Sequence, residues 1–205
     1  MRSVLLTTAA AAVSMALAAP AFAQEETTGG GTSFRGIRIE GNFGGDRFQS
    51  EGVHNHEFGF GGTVGFDGMI GDKIVIGAEG SYWRGADWNE NCSVNAASFE
   101  VCRKSFEEWG AAIRAGVMAT PQTLVFVKGG YVNNEQRKYV IDPAGTPVTY
   151  QNYGSDGYQL GGGVEQTLTA FGSLPVYANV QYVYSNYVSH SSRHRIMGGV
   201  GIRFK

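Results

Sequence analysis

Along most of this 205-residue chain, apolar and polar residues alternate with a period of two. The segment around Phe58 shows it. Phe58, Phe60, Val64, Phe66 and Ile70 share one parity, and Gly59, Gly61, Thr63, Gly65 and Asp67 share the other. Such a period sends successive side chains to opposite faces of a β-strand. Eight such runs predict strands near residues 33–45, 57–70, 73–84, 107–119, 123–134, 156–169, 176–186 and 193–204. Strands of soluble proteins are usually about 5–6 residues long. These runs instead match the roughly 9–11 residues that a tilted strand needs to cross a bilayer.

The predicted connections are of two kinds. Those at Gly71-Asp72, at Thr120-Pro121-Gln122 and at 170–175 are short. Those at 46–56, 85–106, 135–155 and 187–192 are mostly longer and more polar. Short turns at one end and long loops at the other are the asymmetry of a membrane barrel. The fold expected is all-β: an eight-stranded antiparallel up-and-down transmembrane β-barrel, both termini at its short-turn end.

The N-terminus reads as a processing segment. Arg2 supplies a positive charge, Val4 to Ala19 form an apolar stretch, and Ala21 to Ala23 form a small-x-small cleavage site. The domain expectation is a cleaved secretory signal peptide over 1–23, a flexible lead-in over 24–32 (QEETTGGGT), and a barrel over 33–205 with no second domain. Sixteen Lys and Arg, less Arg2, leave 15 basic residues against 18 acidic ones, a net charge of about −3. That balance argues against a nucleic-acid partner. No stretch after residue 23 is apolar enough for a membrane helix. An exported chain with a membrane barrel belongs in the outer membrane of a Gram-negative bacterium.

A soluble barrel would also have one apolar face, so the polar face decides the matter. It carries Arg38, Glu40, Asp67, Glu79, Glu108, Arg114, Lys128, Glu165, Arg195 and Arg203, five charges of each sign. It also carries Gly59, Gly61, Gly65, Gly77, Gly110, Gly116, Gly161, Gly163, Gly199 and Gly201. Glycine weakens strands, and a water-facing surface has no use for so much of it. A narrow lumen does, because a missing Cβ makes room for Arg and Glu from opposite walls. The apolar parity then faces lipid, through Ile37, Ile39, Val64, Ile76, Ile113, Val125, Leu160, Val180 and Ile196. Tyr82, Trp109, Tyr131, Tyr158 and Tyr184 share that parity near the long-loop ends, as an interfacial aromatic girdle.

With its final run HRIMGGVGIRFK, the chain resembles the eight-stranded outer-membrane protein β-barrel family, the OmpA- and OmpX-like proteins and opacity-type surface antigens. The resemblance covers the whole predicted mature chain. It implies a closing strand ending in Phe204 that the barrel-assembly machinery reads, although Lys205 follows where the family usually ends on an aromatic. It carries over no wall-anchoring role, since no peptidoglycan-binding domain follows the barrel. Such folds host adhesins, structural proteins and a few enzymes.

Cys92 and Cys102 read as one disulfide shaping the second long loop. Two reduced thiols or a metal pair are the alternatives. An eight-stranded bore is just wide enough for side chains to fill. The charges, with Asn179 and Gln181, are therefore expected to plug it, Arg38, Arg114 and Lys128 each meeting a carboxylate of Glu40, Glu79, Glu108 or Glu165. A small porin of low conductance is the alternative. His190-Ser191-Ser192 superficially resembles the His-x-Ser element of barrel lipid A deacylases. No Asp or Glu follows it to orient the histidine, so no catalytic residue and no enzyme activity are expected. His54, His56, His190 and His194 lie in or beside neighbouring loops, and a metal site at the rim is conceivable there.

The expected protein is a monomer without cofactor. Its role would be structural in the envelope, with surface interaction through the long loops. Its partners would be outer-membrane lipid, the assembly machinery and an extracellular partner met by Trp88, Phe99, Tyr139, Tyr150 and Tyr153.

Overall fold

The computed structural model describes residues 34–87, 89–171 and 174–204. The predicted signal peptide, the lead-in and Trp88 lie outside these residues. Among the described residues nine strands form one antiparallel sheet: β1 (Gly36–Ser50), β2 (Val53–Ile70), β3 (Ile74–Gly85), β4 (Asn89–Val94), β5 (Glu100–Thr120), β6 (Thr123–Ile141), β7 (Pro147–Phe171), β8 (Leu174–Tyr187) and β9 (Ser191–Phe204). Around the wall successive strands pair, except that β3 meets β5 and not β4, and β9 pairs with β1 from Ile37↔Phe204 to Gln49↔Ser192. The ring closes where Ile74–Trp83 of β3 meets Val117–Glu108 of β5. Eight strands therefore make the wall. Closure leaves no long free edge at membrane depth, as a hydrocarbon environment demands.

The ninth strand corrects the sequence expectation. Within the segment read as a loop at 85–106, β4 pairs with β5 from Asn89↔Ser105 to Val94↔Glu100. It takes over as the neighbour of β5 just where β3 stops. A bulge between Ser105 and Glu108 separates the two ladders and shifts the parity of β5 by one residue.

The other long connections also shrink. The segment 46–56 is strand, broken only by a two-residue turn at Glu51 and Gly52. Both have positive φ, 52° and 77°, as a type I′ hairpin turn requires. The segment 135–155 is mostly ladder between β6 and β7. Its turn spans 142–146, where the Asp142 carboxylate accepts from the Ala144 and Thr146 amides at 2.9 and 2.7 Å. The segment 187–192 reduces to a turn at 188–190.

Strands β5, β6 and β7 run 21, 19 and 25 residues, roughly twice what a crossing needs. Their upper halves, with β4, form a wall that rises beyond the aromatic girdle. The β1–β2 and β8–β9 turns stop lower.

Candidate functional site

The bore is built in layers. At the short-turn end Phe34, Val75, Leu124 and Phe126 form an apolar plug, with Met69 and Met118 packed against it. Above it lies a network of four cations and four carboxylates. Arg38 pairs with Glu79, with Asp67 at 3.2 Å and with Glu40 at 3.6 Å. Arg114 meets Asp67 at 3.2 Å and Glu165 at 2.9 Å. Lys128 meets Glu79 at 2.7 Å. Arg203 meets Asp67 at 3.1 Å and Glu165 at 2.6 Å. All eight residues are buried. Asp67 thus serves three arginines.

A second, smaller network sits higher, again with equal charge. Arg195 meets Glu108 at 2.6 Å, and Arg193 meets Asp46 at 3.2 Å and Glu108 at 3.8 Å. The Tyr187 hydroxyl also donates to Glu108, and Trp83 Nε1 donates to Asp46 at 3.0 Å. Between the networks Asn42, Thr63, Asn179 and Gln181 hydrogen-bond to one another and to Glu40. Trp83, Val183 and Met197 make a second apolar layer, and Phe48, Val132 and Tyr187 a third. A cavity of about 10 Å³ remains between the networks, room for about one water. Burying charge is tolerable only when each ion is paired, and each network meets that condition.

The glycines of the inner parity make this packing possible. A Cβ on Gly65 would lie 2.9 Å from the Arg38 guanidinium, and one on Gly199 2.7 Å from the Asn42 amide oxygen. On Gly77 it would strike the Asp67 carboxylate, and on Gly59 the Trp83 ring. The outer parity is apolar and exposed: the nine residues of the expected lipid band are 42% to 67% exposed. The girdle residues lie on adjacent rungs, with Tyr82 opposite Trp109, Tyr131 opposite Tyr158, and Leu160 opposite Tyr184.

On the raised wall, Cys92 and Cys102 face each other in the β4–β5 ladder and are joined by a disulfide. The same rung continues outward through Tyr139 and Tyr150. Arg137 stacks over the rings of Phe106 and Tyr150, 4.9 Å from each centroid. The Tyr139 hydroxyl donates to Glu90, and that bond, with burial, pushes its pKa up to about 12. Tyr153, expected as a loop contact, turns the other way. Its hydroxyl donates inward to Gln136 at 3.3 Å, because its parity is that of Ser155 and Gln159, which are both buried. Phe99 is half-buried at the β4–β5 turn.

The four histidines do not converge. Arg47 stands between His56 and His194 on the rung they share. Among the described residues, the group with ligand atoms close enough for a metal is Glu90, Cys92 and Cys102, and both sulfurs are spent in the disulfide. In the His-x-Ser element the middle residue, Ser191, bonds to Gln136 and Ser189 at 3.0 and 2.9 Å. His190 lies in the turn with φ 59°, with no ion-paired carboxylate among the described residues.

Arg193, Asp46 and Arg103 also point inward, beyond the ten charges expected there. Parity was the available signal for the first two: Arg193 shares it with Arg195, and Asp46 with Glu40. Arg103 is buried, pairing with Glu51 at 2.8 Å and donating to the Ser189 carbonyl. It follows parity only once the bulge at 105–108 is known.

A profile of the outer membrane protein β-barrel domain matches residues 9–204. The chain belongs to that family. It is an integral protein of the Gram-negative outer membrane. The attachment invasion locus protein Ail of Yersinia pestis, solved with the heparin analogue sucrose octasulfate, is 12% identical over 83% of this chain and 99% of its own, with a TM-score of 0.53. The N-terminal barrel of Pseudomonas aeruginosa OprF is 14% identical over 83% and 98%, with a TM-score of 0.51. At these identities the likeness speaks for the fold. No curated protein matches the chain significantly.

Proposed function

We propose that this barrel is a sealed, non-enzymatic envelope protein whose raised wall meets an extracellular partner. The observation that carries this is the wall itself. Strands β5 to β7 continue far beyond the girdle and there present Tyr139, Tyr150 and Arg137 on their outer side. Tyr and Arg are enriched where proteins bind one another. Charges of mixed sign, Glu90, Lys104, Glu135 and Arg137, share that side, which favours a protein surface over a polyanion.

The test is display on cells lacking the native protein. Wild type is compared with a barrel whose residues 138–151 are replaced by a two-residue turn, and with Arg137→Ala/Tyr150→Ala. Attachment to protein-coated surfaces should fall for both variants, while folded barrel in the membrane stays constant. Equal attachment by all three overturns the interaction role. Hydrolysis of phospholipid or lipid A by the purified protein, abolished in Ser192→Ala, overturns the non-enzymatic part.

A further inference from the structure

One outward-facing cluster takes no part in the bore or the wall. On adjacent strands β2, β1 and β9, His56, Arg47 and His194 form a single rung on the outer face. The rung lies at girdle height, because His194 pairs directly with Tyr184. The rung below holds Phe58, Gly45 and Ile196, with Tyr182 opposite Ile196 on β8. Together these residues line a groove of about 540 Å³.

Two features make this more than a dent in the lipid face. The first is the unpaired guanidinium. The arginines of the bore all meet carboxylates, whereas Arg47 has no ion-pair or hydrogen-bond partner among the described residues, and its Nε is buried. Asp46 and Glu57, its neighbours along and across the strands, have the opposite parity. Asp46 is spent inside on Arg193 and Trp83, and Glu57 accepts from Asn55. No carboxylate therefore answers Arg47 on the outer face. The second feature is Gly45. A Cβ there would meet nothing within 4 Å, so the groove floor is open space between Phe58 and Ile196.

We propose that Arg47, His56 and His194 bind the phosphorylated headgroup of an outer-leaflet lipid whose acyl chain lies over Gly45 between Phe58 and Ile196. A cation above an apolar slot, at the height where lipid meets water, complements an anionic amphiphile. Tyr182 supports the assignment, with its hydroxyl 2.7 Å from His194 Nδ1. When that hydroxyl donates, the imidazole hydrogen sits on Nε2 and is available to a phosphate oxygen. The guanidinium offers the planar fork that suits phosphate.

The experiment uses the purified barrel in phosphatidylcholine nanodiscs doped with fluorescent lipid A or its dephosphorylated form. Wild type should retain the phosphorylated probe about tenfold better, the order of one charge-assisted hydrogen bond. Arg47→Gln should abolish that preference. Gly45→Leu, whose Cβ would meet nothing within 4 Å, should fill the groove and lower retention of both probes. Heat-modifiable electrophoretic mobility confirms that each variant is folded. Equal retention of the two probes by wild type, or an undiminished preference in Arg47→Gln, overturns the proposal. So does full competition by inorganic phosphate, which would mark a site for a free anion rather than a lipid.

Discussion

Asp67 is the residue on which the lower network turns. Three guanidinium groups share its carboxylate at 3.1 to 3.2 Å, and its side chain is fully buried. Asp67→Asn would leave four cations facing three carboxylates in a closed space. The loss expected is about 3–5 kcal/mol, as for any buried pair broken from one side. It is read as a shift in urea unfolding of the folded barrel, and no shift would show that water already screens the site. Asp67→Leu with Arg114→Leu should cost less than the two changes summed, because the partners are removed together. On the outer face the rule reverses. Val64 is 56% exposed to lipid and Thr63 is buried, so Val64→Arg should cost about 2–4 kcal/mol. Spin labels should show residue 64 accessible to a lipid-phase relaxer and residue 63 shielded. Parity alone made this inside-outside assignment legible for Arg38 or Ile113. It said nothing of partners, because Asp67 meets Arg114 and Arg203 across the bore from strands that are not its own neighbours.

The β4–β5 hairpin was legible only as a loop with a cysteine pair. The run NENCSV does not alternate, since a strand above the membrane has no lipid face to satisfy. The same reason hides the upper half of β7, whose PVTYQNYGS reads as polar connection. Glu51-Gly52 is a turn signal inside the polar segment 46–56. The hairpin is held by the disulfide, by Tyr139 to Glu90, and by Asn91 donating to the Phe48 carbonyl and Ser50 hydroxyl at 3.2 and 3.1 Å. Closing its loop stabilises it by roughly 3 kcal/mol in the chain-entropy model. Reduction should therefore leave the barrel folded and make the turn at 95–98 more open to protease. Tyr139 adds a pH dependence. Its pKa rises from 10.0 to about 12 in the folded hairpin, so its contribution is complete below about pH 10 and is lost as pH climbs through about 12. In reduced protein, cleavage at the turn should quicken over that window. Tyr139→Phe should show fast cleavage already at neutral pH, and a rate equal to wild type would remove the tyrosine from the account.

For the whole molecule the question is whether the ring is a pore or a pillar. Three apolar layers and two neutral ion networks alternate along the axis, and about 10 Å³ lies open between the networks. An ion crossing this bore would have to displace paired charges in series. Each break leaves a buried ion uncompensated, at about 3–5 kcal/mol. Opening both networks at once therefore costs about as much as the whole stability of a small domain, about 5–15 kcal/mol. The purified monomer should show no steady conductance in a planar bilayer. The upper network gives the sharper version of this test. Glu108 holds Arg195 and lies within 3.8 Å of Arg193, so Glu108→Ala leaves Arg195 without its carboxylate and Arg193 with Asp46 alone, and removes the anchor of Tyr187 in the topmost apolar layer. That variant should be less stable yet still closed, because the lower network and the plug of Phe34, Val75, Leu124 and Phe126 remain beneath it. A stable, ion-selective current from the wild type would overturn the sealed bore and make the barrel a small porin. Current from Glu108→Ala alone would place the seal in the upper network and leave the lower one permeable.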